Sequence, residues 1–249
     1  MTVSLRQRVS AAAHEFLPHA NPLSVAQMGA LVALVADRCP STAIDIGCGP
    51  GSFSIDLASR VPVSVRAVDS NRAFLARARA DAGKTDLVGR IEFIERPLSD
   101  HEVGLFDVVV CIGSSGAIGT PRLAIQRCKQ LLTPTGTLVF AELVWVKKPP
   151  QEFLDFLGVD ESSYWSREDG KGVLERCGLT VHQQVEASDE SWRIYEDAVL
   201  AGRLRFAETL VRDDSEVVRN QAEAWSTMYE LHGSSCLGFV AYVAQRAEP

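Results

Sequence analysis

The 249-residue sequence predicts an α/β protein with a mostly parallel sheet covered by helices on both faces. Three observations carry that expectation. Residues 43–58, AIDIGCGPGSFSIDLA, pass from a strand through a glycine turn into a helix with almost no slack. A second β-rich run, VSVRAVD, ends in an acid at Asp69, 22 residues beyond Gly47. Strand and helix patterns then alternate over about 120 residues, and such alternation lays parallel strands beneath crossover helices.

In chain order, residues 1–22 read as a helical arm ending at Pro18, Asn21 and Pro22. The arm carries His14 and His19, which fit exposed helix and turn positions or, alternatively, a lid. Ser24 with Gln27 three places on has the form of a capping box, and Met28, Leu31, Val32 and Val35 give the apolar stripe of the helix that follows. After the first strand come Gly47, Gly49 and Gly51. Glycine suits a turn of positive φ or of close approach to a ligand, and the carboxyl end of a parallel strand is where open α/β sheets bind ligands. Asp69 stands at the interval at which such folds place a carboxylate on ribose hydroxyls, or else it opens the helix beginning near Phe74.

IEFIE at 91–95 predicts a third strand and LFDVVVCIG at 105–113 a buried fourth. GSSGAIG is a loop, with Thr120 as N-cap and Pro121 as first residue of a helix that ends at the turn TPTG. The fifth strand is 137–145. Beyond the break at KKPP, residues 151–157 and 167–177 read as helices, 179–187 as a sixth strand, 189–211 and 215–231 as long amphipathic helices, and LGFVAYVAQ as a seventh strand. The helix pair between the last two strands is an insertion placed to cover the ligand edge and select the substrate.

The bulk numbers exclude several classes. A formal net charge of −7, with no basic run, argues against a long nucleic-acid partner and for a small-molecule substrate. No basic, apolar leader is present and no apolar run approaches the roughly 20 residues that span a bilayer, so a cytoplasmic protein without membrane association is expected. Cysteines 39, 48, 111, 128, 177 and 236 show neither CxxC nor Cys/His spacing; reduced, mostly buried thiols are expected, with no metal.

DIGCGPG with Asp45, Gly47, Gly49 and Gly51, Asp69 at the end of the second strand, FDVVVCIG in the fourth and LLTPTGTLVFAE into the fifth resemble the class I S-adenosylmethionine-dependent methyltransferases, with the likeness strongest over residues 40–145. The tail, WRIYEDA and LGFVAYVAQR, looks like a bacterial small-molecule branch of them. The resemblance implies a Rossmann-like seven-stranded sheet in the order 3-2-1-4-5-7-6 with the last strand antiparallel. It implies one methyltransferase domain: an N-terminal arm at 1–23, a cofactor-binding core at 24–146 and a substrate-side half at 147–249 holding the insertion 189–231. The cofactor implied is S-adenosyl-L-methionine. Gly47, Cys48, Gly49 and Gly51 would hold its methionine part, Asp69 its ribose, with Ser70 as a further cofactor-binding residue, and Ile112 and Gly113 would flank the sulfonium. Many members place an acid after the third strand on the adenine; here the aligned position is Pro97, leaving Leu98 and Ser99 to line the base and Asp100 as a substitute acid.

The spacing separates this cofactor from a dinucleotide. GxGxG with an acid two places before the first glycine differs from the GxGxxG that aims a helix N-terminus at a pyrophosphate. Asp45 suits a cationic α-ammonium and sulfonium; the other reading has it bracing the loop through backbone N–H groups. Methyl transfer asks for alignment and exclusion of water, with a general base where the acceptor must lose a proton. Glu142 is the candidate base, or a structural acid at a strand edge; Trp192 and Tyr195 are the candidate substrate wall, or core. Alternatives are a tRNA or protein methyltransferase, disfavoured because CIGSSG offers no aromatic plate for a flipped base, a non-catalytic cofactor-binding module, and a nicotinamide dehydrogenase. A monomer or homodimer is expected.

Overall fold

Two serine caps start the chain. The computed structural model describes residues 3–85, 87, 89–98 and 103–247. Ser4 and Gln7 form a capping box at α1 (Leu5–Ala13), a start signal not picked out in the sequence. Ser24 and Gln27 form the expected one at α2 (Val25–Ala36): the Ser24 N–H donates to Gln27 Oε1 at 2.8 Å and the Gln27 N–H to Ser24 Oγ at 3.2 Å. Each box satisfies two N–H groups that a helix start leaves without partners.

There follow β1 (Thr42–Ile46), α3 (Ser52–Arg60), β2 (Ser64–Asp69), α4 (Arg72–Ala82), β3 (Ile91–Glu95), β4 (Phe106–Ile112), the short α5 (Ser115–Ile118), α6 (Pro121–Gln130) and β5 (Leu132–Trp145). Further along come α7 (Gln151–Leu157), α8 (Gly170–Arg176), β6 (Leu179–Glu186), α9 (Asp189–Ala207), α10 (Arg212–Met228) and β7 (Leu237–Arg246), with short helical turns at Glu161–Ser163, Tyr229–Gly233 and Ser234–Cys236. The sheet order is 3-2-1-4-5-7-6. β1 to β5 pair in parallel, whereas β7 runs antiparallel to both β5 and β6, as the resemblance implied. α2 and α3 bury Leu31, Val35, Phe53 and Leu57 on one face; α6 and α8 bury Ile125, Cys128 and Leu174 on the other. Burial on both faces is why the central strands read as continuous apolar runs.

Three local expectations need correction. TPTG is not a free turn: β5 starts at Leu132, opposite Phe106, and its register to β4 shifts before Thr137. Asp107 causes this, since its carboxylate accepts the Ser41 and Thr42 N–H groups at 3.0 and 3.1 Å and the Thr133 hydroxyl at 3.4 Å, pinning the bulged segment to the sheet. α8 starts at 170, not 167, because the Arg167 N–H donates to the Trp145 carbonyl and extends the sheet instead. The loop GSSGAIG holds the helical turn α5.

The insertion, α9 and α10, packs over the carboxyl edge of the sheet and meets the arm. A Cβ on Gly202 of α9 would lie 2.6 Å from the Ala12 carbonyl, so only glycine lets α1 and α9 come this close. Val199 completes that contact with Ala13 and Leu17. No helix among the described residues is long and apolar enough to cross a membrane.

Candidate functional site

β1 delivers its last residue, Ile46, into the glycine loop, where Gly47, Gly49 and Gly51 have φ of +77°, +54° and +77°. The three have different reasons to be glycine. A Cβ on Gly47 would stand 2.3 Å from Ser114 Cβ and one on Gly51 2.9 Å from Ala78 Cβ, so the fold itself excludes side chains there. A Cβ on Gly49 would meet only Ala20, at 3.8 Å. The middle glycine therefore faces a cradle that the protein leaves open.

Asp69, at the end of β2, is 8% exposed and reaches under this loop. Its Oδ2 accepts the Gly49 N–H at 2.8 Å and its Oδ1 the Asn71 N–H at 2.7 Å, and burial raises its pKa above the ordinary carboxylate value. Each oxygen keeps a further lone pair for a ligand hydroxyl. Asp45 is buried beneath the loop; burial pushes its pKa up to about 7, against the Ser54 hydroxyl that donates to it at 2.7 Å. Its partner is thus a side-chain hydroxyl and not the backbone N–H groups of the bracing alternative. Cys48 packs its side chain against Ala67 and Leu75. Leu98 approaches from the loop after β3, with Cδ1 3.2 Å from where a Gly47 Cβ would be. Ser70 is exposed. Ser99, Asp100 and His101 lie outside the described residues.

The arm covers the loop. The Gln7 amide donates to the Ser70 carbonyl at 2.8 Å, the Asn71 amide to the Gln7 carbonyl at 2.9 Å, and Arg77 of α4 to the His14 and Leu17 carbonyls at 2.8 and 2.7 Å. The exposed reading of the two arm histidines is overturned: His19 is buried, its Nε2 hydrogen-bonded to the Leu23 carbonyl, and His14 is half-buried. Burial lowers the pKa of both, leaving them neutral at ordinary pH. His14 Nδ1 lies 2.7 Å from the Ser10 carbonyl, which only accepts, so that nitrogen carries the proton. Nε2 then accepts the Tyr195 hydroxyl at 2.9 Å, joining arm to insertion.

Two cavities follow. A small one of about 40 Å³ lies among His19, Ala20, Asp45, Gly49 and Ile112. A larger one of about 520 Å³ opens between Gly113, Glu142, Trp192, Tyr195 and Phe239. Ala20 and Asn21 of the arm line both, and the consecutive residues Ile112 and Gly113 stand one on each. Glu142, just beyond the last β5 residue that pairs with β4, is 4% exposed; Ser115 Oγ donates to its Oε2 and the Leu143 N–H to its Oε1 at 2.9 Å. Burial nonetheless brings its pKa up to about 7, the range in which one carboxyl group both takes and gives a proton near neutrality.

Sequence reasoning missed Ser115, Tyr164, Glu196 and Trp225, all on the larger cavity. Glu196 Oε2 accepts the Trp225 indole N–H at 2.6 Å. The spacing Trp192, Glu196, Val199 on one face of α9 was the available signal: an acid inside an apolar stripe. The Trp192 indole N–H is buried without a partner.

Residues 43–136 match the family described as methyltransferase domain. Among curated proteins, the ubiquinone biosynthesis O-methyltransferase of Neisseria meningitidis serogroup A is 26% identical over 169 residues, spanning 59% of this chain and 70% of that one. Among solved structures, a SAM-dependent methyltransferase from Thiobacillus denitrificans, in complex with S-adenosyl-L-homocysteine, superposes with a TM-score of 0.86 at 21% identity, covering 99% of this chain and 100% of that one. A second, from Geobacter sulfurreducens and likewise with S-adenosyl-L-homocysteine, gives a TM-score of 0.87 at 21% identity over 96% of this chain and 98% of its own.

Proposed function

We propose that the chain is a class I S-adenosylmethionine-dependent methyltransferase that transfers a methyl group to a small-molecule acceptor held beneath the α9–α10 insertion. One observation carries the reading: the cavity below the insertion comes up to the glycine loop at Ile112 and Gly113, so an acceptor in that cavity is adjacent to a cofactor bound along the loop. A volume of about 520 Å³ suits a small molecule.

The residues fit the cofactor. Gly49 leaves the room that backbone contact with a ligand needs, and Asp69 retains lone pairs for the two ribose hydroxyls. Asp45 supplies negative charge for an α-ammonium, with Gly47, Cys48 and Gly51 shaping the loop around it. Leu98 offers an apolar surface to the base, and Ser70 a polar one beside the ribose. When bound, S-adenosylmethionine supplies a methyl carbon activated by a sulfonium.

The chain's own contribution is alignment, dryness and one proton site. The arm closes both cavities along Ala20 and Asn21, which keeps water from the reacting atoms. Gly113 brings backbone close to the junction. Glu142 stands at the acceptor side, held by Ser115, and takes the acceptor's proton. Trp192 and Tyr195 form the wall that fixes the acceptor in line.

The test is turnover of a mixed library of amines, phenols, alcohols and carboxylates with S-adenosylmethionine, read as released S-adenosylhomocysteine. Release with one acceptor class is expected. Tight cofactor binding without release from any acceptor would make the protein a binding module, and failure to bind S-adenosylhomocysteine would remove the reading altogether.

A further inference from the structure

The larger cavity has an unusual charge balance. Among the described residues that line it there is no lysine, arginine or histidine, yet two carboxyl groups, Glu142 and Glu196, are buried in its wall. Neither has a cation inside the cavity. Glu142 is held by the Ser115 hydroxyl and the Leu143 N–H, and Glu196 by the Trp225 indole N–H. The charged residues that act on Glu196 are Arg203 and Asp197 of its own helix, and Arg203 lines a separate groove with Arg6 and His14. A buried carboxylate with no cation beside it in the cavity is costly, and a cationic ligand there relieves part of that cost.

The rest of the wall points the same way. Tyr164, Trp192, Tyr195, Trp225 and Phe239 surround the space with aromatic rings, and ring faces attract cations, most strongly where water is excluded. No side chain there offers the fork of donors that a carboxylate or phosphate needs. Trp192 is itself 6% exposed, so its ring forms part of a wall withdrawn from water.

We propose that the acceptor is a small amine, bound as its ammonium against the aromatic walls between Glu142 and Glu196. This rests on the methyltransferase reading above. Glu196 balances the ammonium while it binds. Glu142 then takes its proton: the N–H bond breaks with its electron pair left on nitrogen, the O–H bond forms on the carboxylate, and the nitrogen has the lone pair that methylation requires. An alcohol would bind without using Glu196, and a carboxylate would be repelled by both acids.

The experiment is calorimetric titration of the full chain, saturated with S-adenosylhomocysteine, with three probes of one 4-methoxyphenylpropyl skeleton: the amine, the alcohol and the carboxylate. The amine should bind at least about tenfold more tightly than the alcohol, a difference of about 1.4 kcal/mol, and the carboxylate not at all at millimolar concentration. Glu196→Gln, which can still accept the Trp225 N–H, should shrink the preference for amine to threefold or less while leaving affinity for S-adenosylhomocysteine unchanged. Equal binding of amine and alcohol, binding of the carboxylate, no binding of the amine, or a preference that survives Glu196→Gln overturns the proposal. In each of those cases retained affinity for S-adenosylhomocysteine leaves the methyltransferase reading standing, whereas its loss in the unmutated chain overturns that reading instead.

Discussion

Asp69 Oδ2 accepts the Gly49 N–H at 2.8 Å, so the end of β2 and the crest of the glycine loop are joined by a charge-assisted bond before any ligand arrives. The same carboxylate is proposed to hold the ribose, which makes it both a loop brace and a ligand group. Asp69→Ala should weaken S-adenosylhomocysteine binding by about 1.5–3 kcal/mol, the usual range for hydrogen bonds to charged groups. Isothermal calorimetry checks it; a loss under threefold would take Asp69 off the ribose.

The loop glycines should respond differently to the same substitution. Gly47→Ala drives a methyl into Ser114 and Gly51→Ala one into Ala78, and overpacking of this kind costs about 1–3 kcal/mol. Gly49→Ala meets nothing closer than Ala20 and carries only the left-handed strain of about 1–2 kcal/mol. Thermal unfolding should therefore rank Gly49→Ala as the mildest of the three, while calorimetry ranks it as damaging to cofactor affinity. Unaltered affinity in that variant would mean that the cofactor does not approach the loop at its middle glycine.

The contrast among those glycines shows how far the sequence could be read. Local patterns were legible where one element dictates its own form: the Ser24–Gln27 box, Thr120 and Pro121 at the start of α6, the acid-ended β2. The fold order followed from family resemblance, because nothing local in LGFVAYVAQ says that β7 inserts between β5 and β6. What stayed hidden depends on contacts between distant segments. Tyr195 to His14 spans 181 positions, Glu142 to Ser115 spans 27 and Trp225 to Glu196 spans 29. His14 looks solvent-facing in the sequence because its partner lies on the insertion, and TPTG looks like a turn because Asp107, which pins it, lies a strand away.

Glu142 gives a pH signature. Its pKa is raised by burial to about 7 in the folded chain, above the ordinary value of 4.5, so the folded state binds the proton more tightly than the unfolded state. Its stability contribution is complete below the unfolded value and is lost as pH rises through about 7. Glu142→Gln removes that loss: relative to wild type the variant should gain about 2–3 kcal/mol between pH 4 and pH 8, since a tenfold difference in proton affinity between the two states is worth about 1.36 kcal/mol. Asp45 is raised in the same direction, but it is present in both proteins and cancels in the difference. Denaturant unfolding at the two pH values provides the measurement, and a difference independent of pH would place the Glu142 carboxyl in contact with water.

Arg77 decides whether the arm acts as a cover. Its guanidinium donates to the His14 and Leu17 carbonyls at 2.8 and 2.7 Å, flanking the turn that leads to Ala20 over Gly49, while Asp81 stands 3.6 Å from its Nε. These charge-assisted bonds tie the turn to α4: the His14 carbonyl also accepts the Leu17 N–H at 3.2 Å, and the Arg77 guanidinium adds a second, stronger donor to it and one to the Leu17 carbonyl. Arg77→Ala should raise hydrogen exchange across residues 14–22 and speed S-adenosylhomocysteine release roughly tenfold, the effect of about 1.4 kcal/mol of lost closure. The sheet should keep its protection, because Arg77 lies on the outer side of α4 and touches no strand in these bonds. Faster exchange in the arm with an unchanged release rate would show that Ala20 rests on the loop without retaining what the loop holds.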